Sequence, residues 1–409
     1  MNQNMTPNRP PQRSAGNTQG QQQRPPQQQP PKKNAKYSTA FFSVLIGTVA
    51  LLVISIVVLC VVLAVGGFEK KPASEPSQND GGAQQVVQQQ QQTQPNTNEP
   101  KAPTAKFLTL PSATAAGNYA SSSAAGAQTM ATDTTIQSAA AILVDMSGKT
   151  SIGEKNADTR VYPASMTKVM TLLLACEKAD SATDMLTVTD QMLTDLTATG
   201  GASTLGGWMA GDTITVEDAL FLVNYKSDTI ACWLLANYIS GSESAFAAEM
   251  TARAKALGCN QTNFVNSTGL HSDDHYTTCR DMATIMQAAM SNTAAKTVLT
   301  AFKGYTVSIY RDGKINRTQE MYCSWFSVRL KDNKWAGGGS DMAFIAGKTG
   351  NETIPSSCFV TAAENTENGK QYICVTVGRI DDTQTRVSDS ASTADAKYIY
   401  KTYAEGSTQ

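Results

Sequence analysis

The stretch "VYPASMTKVM", Val161 to Met170, places Ser165 and Lys168 three residues apart where an apolar run begins. Two readings compete for this turn. A serine at a helix start is ordinary, because its hydroxyl can cap free backbone N–H groups. A lysine one turn later on the same face is, however, close enough to take the serine's proton. Lysine is a poor base unless burial or neighbouring positive charge lowers its pKa. The helix N-terminus would add a positive end that favours an alkoxide and an oxyanion.

Two further motifs follow in order. "YKSDTIA" carries Ser227, and "DMAFIAGKTG" ends in Lys348, Thr349 and Gly350. The second is not a phosphate loop, since Met342 stands where that pattern needs its first glycine. Read as a strand, it presents a cation, a hydroxyl and a side-chain-free backbone at a sheet edge. That set suits a peptide carboxylate and an extended substrate lying beside the strand. His271 and His275, the two histidines of the chain, flank Asp273 and Asp274 in "GLHSDDHYTT". A catalytic zinc normally needs a third protein ligand, so polar loop histidines are the preferred reading.

The 409 residues carry a net charge of -1, which gives no sign of a nucleic-acid or polyanion partner. Residues 1–36 are rich in Gln, Pro and Asn, with Arg9, Arg13, Arg24, Lys32, Lys33 and Lys36 but no acid, and read as a disordered basic tail. An uncharged apolar run, Ala40 to Val65, lies within an expected membrane anchor at 37–68. The basic residues before it outweigh Lys70 and Lys71 after it, which places the N-terminus in the cytoplasm and the rest outside the cell. Residues 69–135 read as a low-complexity tether, and 136–405 as the globular domain.

Within that domain, "AAAILVDMSGKTSIGEKNA" suggests two strands. "SMTKVMTLLLACEKA", "TVEDALFLVNY", "TIACWLLANYI", "ESAFAAEMTARAKALG" and "RDMATIMQAAMS" suggest helices, the second with a capping pattern at Thr215 and Asp218. Strands follow in "YTVSIY", "DMAFIAGKTG", "SCFVTAAE" and "YICVTVGRI", and then a final helix in "TADAKYIYKTYA". The pattern predicts an α+β fold: an antiparallel sheet with flanking helices and an inserted helical lobe. Cys60 falls in the apolar run. Cys176, Cys232, Cys259, Cys279, Cys323, Cys358 and Cys374 lie beyond it and read mainly as buried free thiols. Cys358 and Cys374 flank a predicted hairpin turn, where a cross-strand disulfide is the alternative.

Ser165-x-x-Lys168, then Ser227, then Lys348-Thr349-Gly350, in that order, form the signature of penicillin-recognising serine acyltransferases. From about Ala139 the chain resembles the serine-type D-Ala-D-Ala carboxypeptidases, the low-molecular-mass penicillin-binding proteins. The matching stretches include "AAAILVDMSGKTSIGEKNADTRVYPASMTKVMT", "GDTITVEDALFLVNYKSDTIACWLLANYISGS" and "TNFVNSTGLHSDDHYTTCRDMATIM".

The resemblance implies a beta-lactamase/transpeptidase-like fold and an extracytoplasmic enzyme that trims the terminal D-alanine of peptidoglycan stem peptides. It needs no cofactor and takes beta-lactams as covalent inhibitors. Ser165 would be the nucleophile, Lys168 its base and Ser227 a proton relay. Lys348 would supply positive field and Thr349 would help to hold the substrate carboxylate, with Gly350, Asn351 and Thr229 also at the substrate site. The backbone N–H groups of Ser165 and Asn351 would form the oxyanion hole. Arg386 is a looser match to a carboxylate-binding arginine.

Two positions depart from the family pattern. Thr229 stands where the second motif has Asn, and Asn351-Glu352 follow Lys-Thr-Gly in place of an aromatic or histidine and then Thr. A carboxylate next to a carboxylate-binding site is repulsive. The alternative reading is therefore a weakly active penicillin-binding fold serving as a wall-binding or regulatory module. A beta-lactamase is disfavoured, because no separate glutamate motif for deacylation is visible.

Overall fold

The computed structural model describes residues 107–115, 122–147, 150–200, 206–323, 330–331, 334–335, 341–352, 357–380, 383 and 390–404. The apolar run 40–65, Cys60 and Arg386 lie outside them. Among the described residues, no helix is long and apolar enough to cross a membrane.

The main sheet has eight strands: β1 (Ser122–Thr129), β2 (Ala140–Asp145), β3 (Thr150–Lys155), β8 (Leu330–Lys331), β9 (Lys334–Trp335), β10 (Met342–Gly350), β11 (Cys358–Asn365) and β12 (Gln371–Val377). Their order is β1-β3-β2-β12-β11-β10-β9-β8. Pairing is antiparallel except between β1 and β3, which run parallel. An all-antiparallel sheet, as the sequence suggests, is thus corrected at one edge. Ala140 to Val144 on β2 are completely buried. Helix α6 (Cys279–Ser291) and the C-terminal helix α8 (Ala391–Ile399) both pack on the central strands, which is why "AAILV" is a continuous apolar run with no alternation. Asp395 of α8 accepts from the Ser138 N–H and hydroxyl, both at 2.6 Å, and ties that helix to the entry of β2.

The second lobe holds α2 (Asp190–Ala198), α3 (Val216–Lys226), α4 (Thr229–Ser240), α5 (Glu243–Ala256) and α7 (Thr293–Thr300). It is not purely helical. A second antiparallel sheet of β4 (Met185–Thr187), β5 (Thr213–Thr215), β6 (Lys303–Arg311) and β7 (Lys314–Tyr322) belongs to it. Helix α1 (Lys168–Lys178) joins the lobes. Every residue from Lys168 to Cys176 is buried, and α1 touches α3, α4, α5, α6 and α7. A helix buried on all sides reads as a nearly unbroken apolar run.

One cap follows the sequence pattern and a second joins it. Thr215 accepts from the Asp218 N–H at 3.0 Å to start α3. Asp228 accepts from the Ala231 N–H at 3.1 Å to start α4. Residues 107–115 and 122–135, within the segment expected to be a tether, belong to this fold: the Leu108 N–H donates to Glu217 at 3.1 Å, and β1 pairs with β3.

All seven described cysteines are buried free thiols. The register sets Cys358 opposite Val377 and Cys374 opposite Thr361, so the cross-strand disulfide does not form.

Candidate active site

Ser165 does not cap a helix. It lies in a 3-10 turn, Ala164–Thr167, directly before α1, and neither that turn nor α1 has a side-chain cap. The turn is sharply bent, because Ala164 holds a left-handed φ of 46°. Two glycines let the chain come this close. A Cβ on Gly269 would stand 1.9 Å from the Ala164 carbonyl oxygen, and one on Gly350 would stand 2.9 Å from the Ser165 nitrogen. Gly350, the last residue of β10, therefore lies against the Ser165 N–H.

Lys168, one turn on and 1% exposed, donates to Ser165 Oγ at 3.1 Å and to the Thr268 carbonyl. That carbonyl is fixed from several directions. Asn266 Oδ1 accepts from the N–H groups of Thr268 (3.1 Å) and Gly269 (2.7 Å). Glu243, at the start of α5, accepts from Ser267 N at 2.7 Å and from its hydroxyl. The Thr171 hydroxyl on α1 donates to Ser267 O at 2.7 Å.

On the opposite wall, Ser227 ends α3 in the left-handed region, φ 56°. This is the conformation that turns the chain between α3 and α4. Lys348, 2% exposed on β10, donates to Ser227 Oγ at 3.1 Å and to Thr349 O at 3.0 Å. Among the described residues β10 pairs with β9 at Ala343, so its Lys348–Gly350 edge stays open beside the cavity.

Burial drives the Lys168 pKa down, against the opposing effect of Cys232, Asp228, Glu352 and Glu243 nearby. Burial and then the Lys168 charge bring Lys348 down to about 7. A buried ammonium loses hydration, and two such charges repel, so both amines are held easier to deprotonate than in water. Glu352 moves the other way: burial pushes its pKa up, opposed by Lys168 and His271.

Ser165, Lys168, Ser227, Thr229, Lys348, Thr349, Gly350, Asn351 and Glu352 all line one cavity of about 330 Å³. Every site residue named from the sequence and lying within the described residues is thus brought together. Asn224, Tyr225, Thr268 and Leu270 line it too and were not singled out from the sequence. The histidines separate. His275 is buried, with Nε2 2.7 Å from Thr167 Oγ1 and Nδ1 accepting from the Val265 N–H at 3.1 Å. Nε2 thus engages the turn that carries Ser165, and Nδ1 engages the loop that begins at Val265. His271 lies on the surface, 3.7 Å from Asp273. No cluster of metal-ligating side chains occurs among the described residues.

Comparison with known proteins agrees with this geometry. The D-alanyl-D-alanine carboxypeptidase family profile matches residues 127–380. The chain is 32% identical over 214 residues to D-alanyl-D-alanine carboxypeptidase DacC of Escherichia coli, covering 50% of this chain and 52% of that one. It is 35% identical over 147 residues to D-alanyl-D-alanine carboxypeptidase DacF of Bacillus subtilis, covering 35% of this chain and 36% of that one. The chain thus matches about a third to a half of the length of these two relatives. Its fold is similar to the crystal structure of a Streptomyces DD-transpeptidase, with TM-score 0.56 and 23% identity over 66% of this chain and 98% of that one. A serine-bearing turn with a buried lysine beneath it, facing a second serine and a second lysine across one cavity, accounts for the motifs that carry this likeness, and the chain belongs to the D-alanyl-D-alanine carboxypeptidase family.

Proposed function

We propose that this chain is a membrane-anchored serine D-Ala-D-Ala carboxypeptidase acting on peptidoglycan stem peptides outside the cell. One observation carries the reading: Lys168 Nζ lies 3.1 Å from Ser165 Oγ, inside a cavity whose far wall presents Ser227 and Lys348. In the neutral form that burial favours, Lys168 takes the Ser165 proton along this contact. Ser165 Oγ then attacks the carbonyl between the two D-alanines, and the Ser165 and Asn351 N–H groups receive the negative oxygen. The C–N bond breaks as Ser227 passes its proton to the leaving D-alanine nitrogen and regains one from the Lys168 ammonium, which restores the neutral base. Water then cleaves the Ser165 ester, giving the shortened peptide and the free serine. Lys348 and Thr349 hold the terminal carboxylate at the β10 edge. Beta-lactams would enter the same acylation step and stop at the ester.

The anchor rests on the apolar run from Ala40 to Val65 and the basic residues before it. A second reading, a wall-binding module with little turnover, is favoured by Glu352, which lines the cavity where substrate carboxylate would bind.

The test is a fluorescent penicillin applied to the full-length, detergent-solubilised chain and to Ser165→Ala, alongside D-alanine release from a pentapeptide. Covalent labelling of wild type alone, with release, is expected. An unlabelled wild type sinks the acyl-enzyme mechanism; labelling without release favours the binding module.

A further inference from the structure

The two halves of the cycle ask different things of the cavity. In the first, a base receives the Ser165 proton. In the second, Ser165 Oγ leaves the ester and needs a proton back, while a water molecule must give one up. Lys168 Nζ is held 3.1 Å from Ser165 Oγ and also donates to the Thr268 carbonyl, which suits it to return the proton to Oγ. Ser227 Oγ accepts from Lys348 Nζ at 3.1 Å, which makes that hydroxyl a poor base. The acceptor of the water proton must stand elsewhere. Glu352 is the single carboxylate among the described residues that line this cavity. It is half-buried, and its carboxylate carries no hydrogen bond among the described residues.

Its place follows from β10. Gly350, the last residue of that strand, packs against the Ser165 N–H, and Glu352 lies two residues beyond that contact. The charges that bear on it are those of Lys168 and, from the loop after Leu270, His271. Burial pushes the Glu352 pKa up and the Lys168 pKa down, so the two bases of the cavity come closer in strength and can exchange a proton. We propose that Glu352 is the general base that activates water for hydrolysis of the Ser165 ester. The carboxylate takes one water proton as the water oxygen bonds to the ester carbonyl carbon. The bond from that carbon to Oγ then breaks, Lys168 gives a proton to Oγ, and Glu352 passes its own to Lys168. The shortened peptide leaves with a new carboxyl group, and both bases return to their starting states. Glu352 is neutral while the oxyanion exists, so the two negative charges do not meet in the cavity. The assignment rests on the carboxypeptidase reading, since a Ser165 ester must form first.

The test uses the full-length, detergent-solubilised chain and its Glu352→Gln and Glu352→Asp variants. Each is mixed with a pentapeptide ending in D-Ala-D-Ala at mildly alkaline pH, and free D-alanine, tetrapeptide and the intact mass of the chain are followed in time. Glu352→Gln is expected to release about one D-alanine per chain in a burst and then to form tetrapeptide about a hundredfold more slowly than wild type. Its mass should show the tetrapeptidyl adduct. Glu352→Asp keeps a carboxylate one methylene shorter and should fall between the two. Fluorescent penicillin should label both variants as fully as wild type, which shows a folded site and an intact acylation step. Tetrapeptide formed by Glu352→Gln at the wild-type rate overturns the assignment. So does a joint fall of D-alanine and tetrapeptide without adduct, or loss of penicillin labelling in both variants, since each places Glu352 before the ester. A wild type that takes no penicillin removes the enzyme itself. A wild type that labels and turns over, beside a Glu352→Gln that does the same, removes only this base.

Discussion

Gly269 packs directly against Ala164: a side chain there would begin 1.9 Å from the Ala164 carbonyl oxygen, at a residue whose own φ is +83°. The contact presses the loop that supplies the Thr268 carbonyl to Lys168 against the turn that carries Ser165. Gly269→Ala meets both a backbone clash and a strained φ, so a loss of about 3 kcal/mol or more is expected in denaturant unfolding. The Ser165 turn must move to admit the methyl. Penicillin acylation should therefore fall even under conditions in which the variant stays folded. A variant with wild-type stability and wild-type labelling rate would show that the contact has no such role.

That closeness is invisible in the sequence, which shows a glycine in a polar loop and nothing of what it touches. The three motifs were legible because they are short and local; the helices were legible from apolar spacing and, for α3, from the capping pattern at Thr215 and Asp218. Strand β7, "KINRTQEMY", escaped notice because nearly all of its side chains are exposed, leaving no apolar alternation to read. Strand β1 escaped because it sits in low-complexity composition and joins the sheet through backbone pairing with β3. The placement of Glu243 behind the Thr268 carbonyl depends on α5 meeting the loop from Val265 to His271, which no local signal announces.

Glu352 gives a pH-dependent prediction. Its negative charge favours the ammonium form of Lys168, as do Cys232, Asp228 and Glu243, against the larger effect of burial. Glu352→Gln removes one of these charges and lowers the Lys168 pKa further. The neutral base is then present at lower pH, so the acid limb of the acylation rate profile shifts toward acid. A profile shifted toward alkaline pH, or not shifted at all, would contradict this electrostatic account.

Thr229 tests the departure in the second motif. It is 8% exposed at the first position of α4 and lines the catalytic cavity. Thr229→Asn supplies an amide that both donates and accepts. One added hydrogen bond in the acylation transition state corresponds to about tenfold in rate. Helix α4 should keep its start, since Asp228 remains the cap. A labelling rate equal to wild type would mean that Thr229 already serves the site as well as asparagine would.

His275 makes the stability of the fold depend on acid. Burial first, then the charges of Lys168 and His271, lowers its pKa from 6.5 to about 3. The native ring is neutral: Nδ1 accepts from the Val265 N–H, which leaves Nε2–H to donate to Thr167 Oγ1. Between these two pKa values the unfolded chain binds a proton that the folded chain does not. The contribution is therefore fully present above 6.5 and is lost as pH falls toward 3. Its slope approaches about 1.4 kcal/mol per pH unit inside that window. His275→Asn removes the titrating ring, so its unfolding free energy, measured across the same window, should fall less steeply than that of wild type. Parallel curves for the two proteins would rule out His275 as a source of the acid sensitivity.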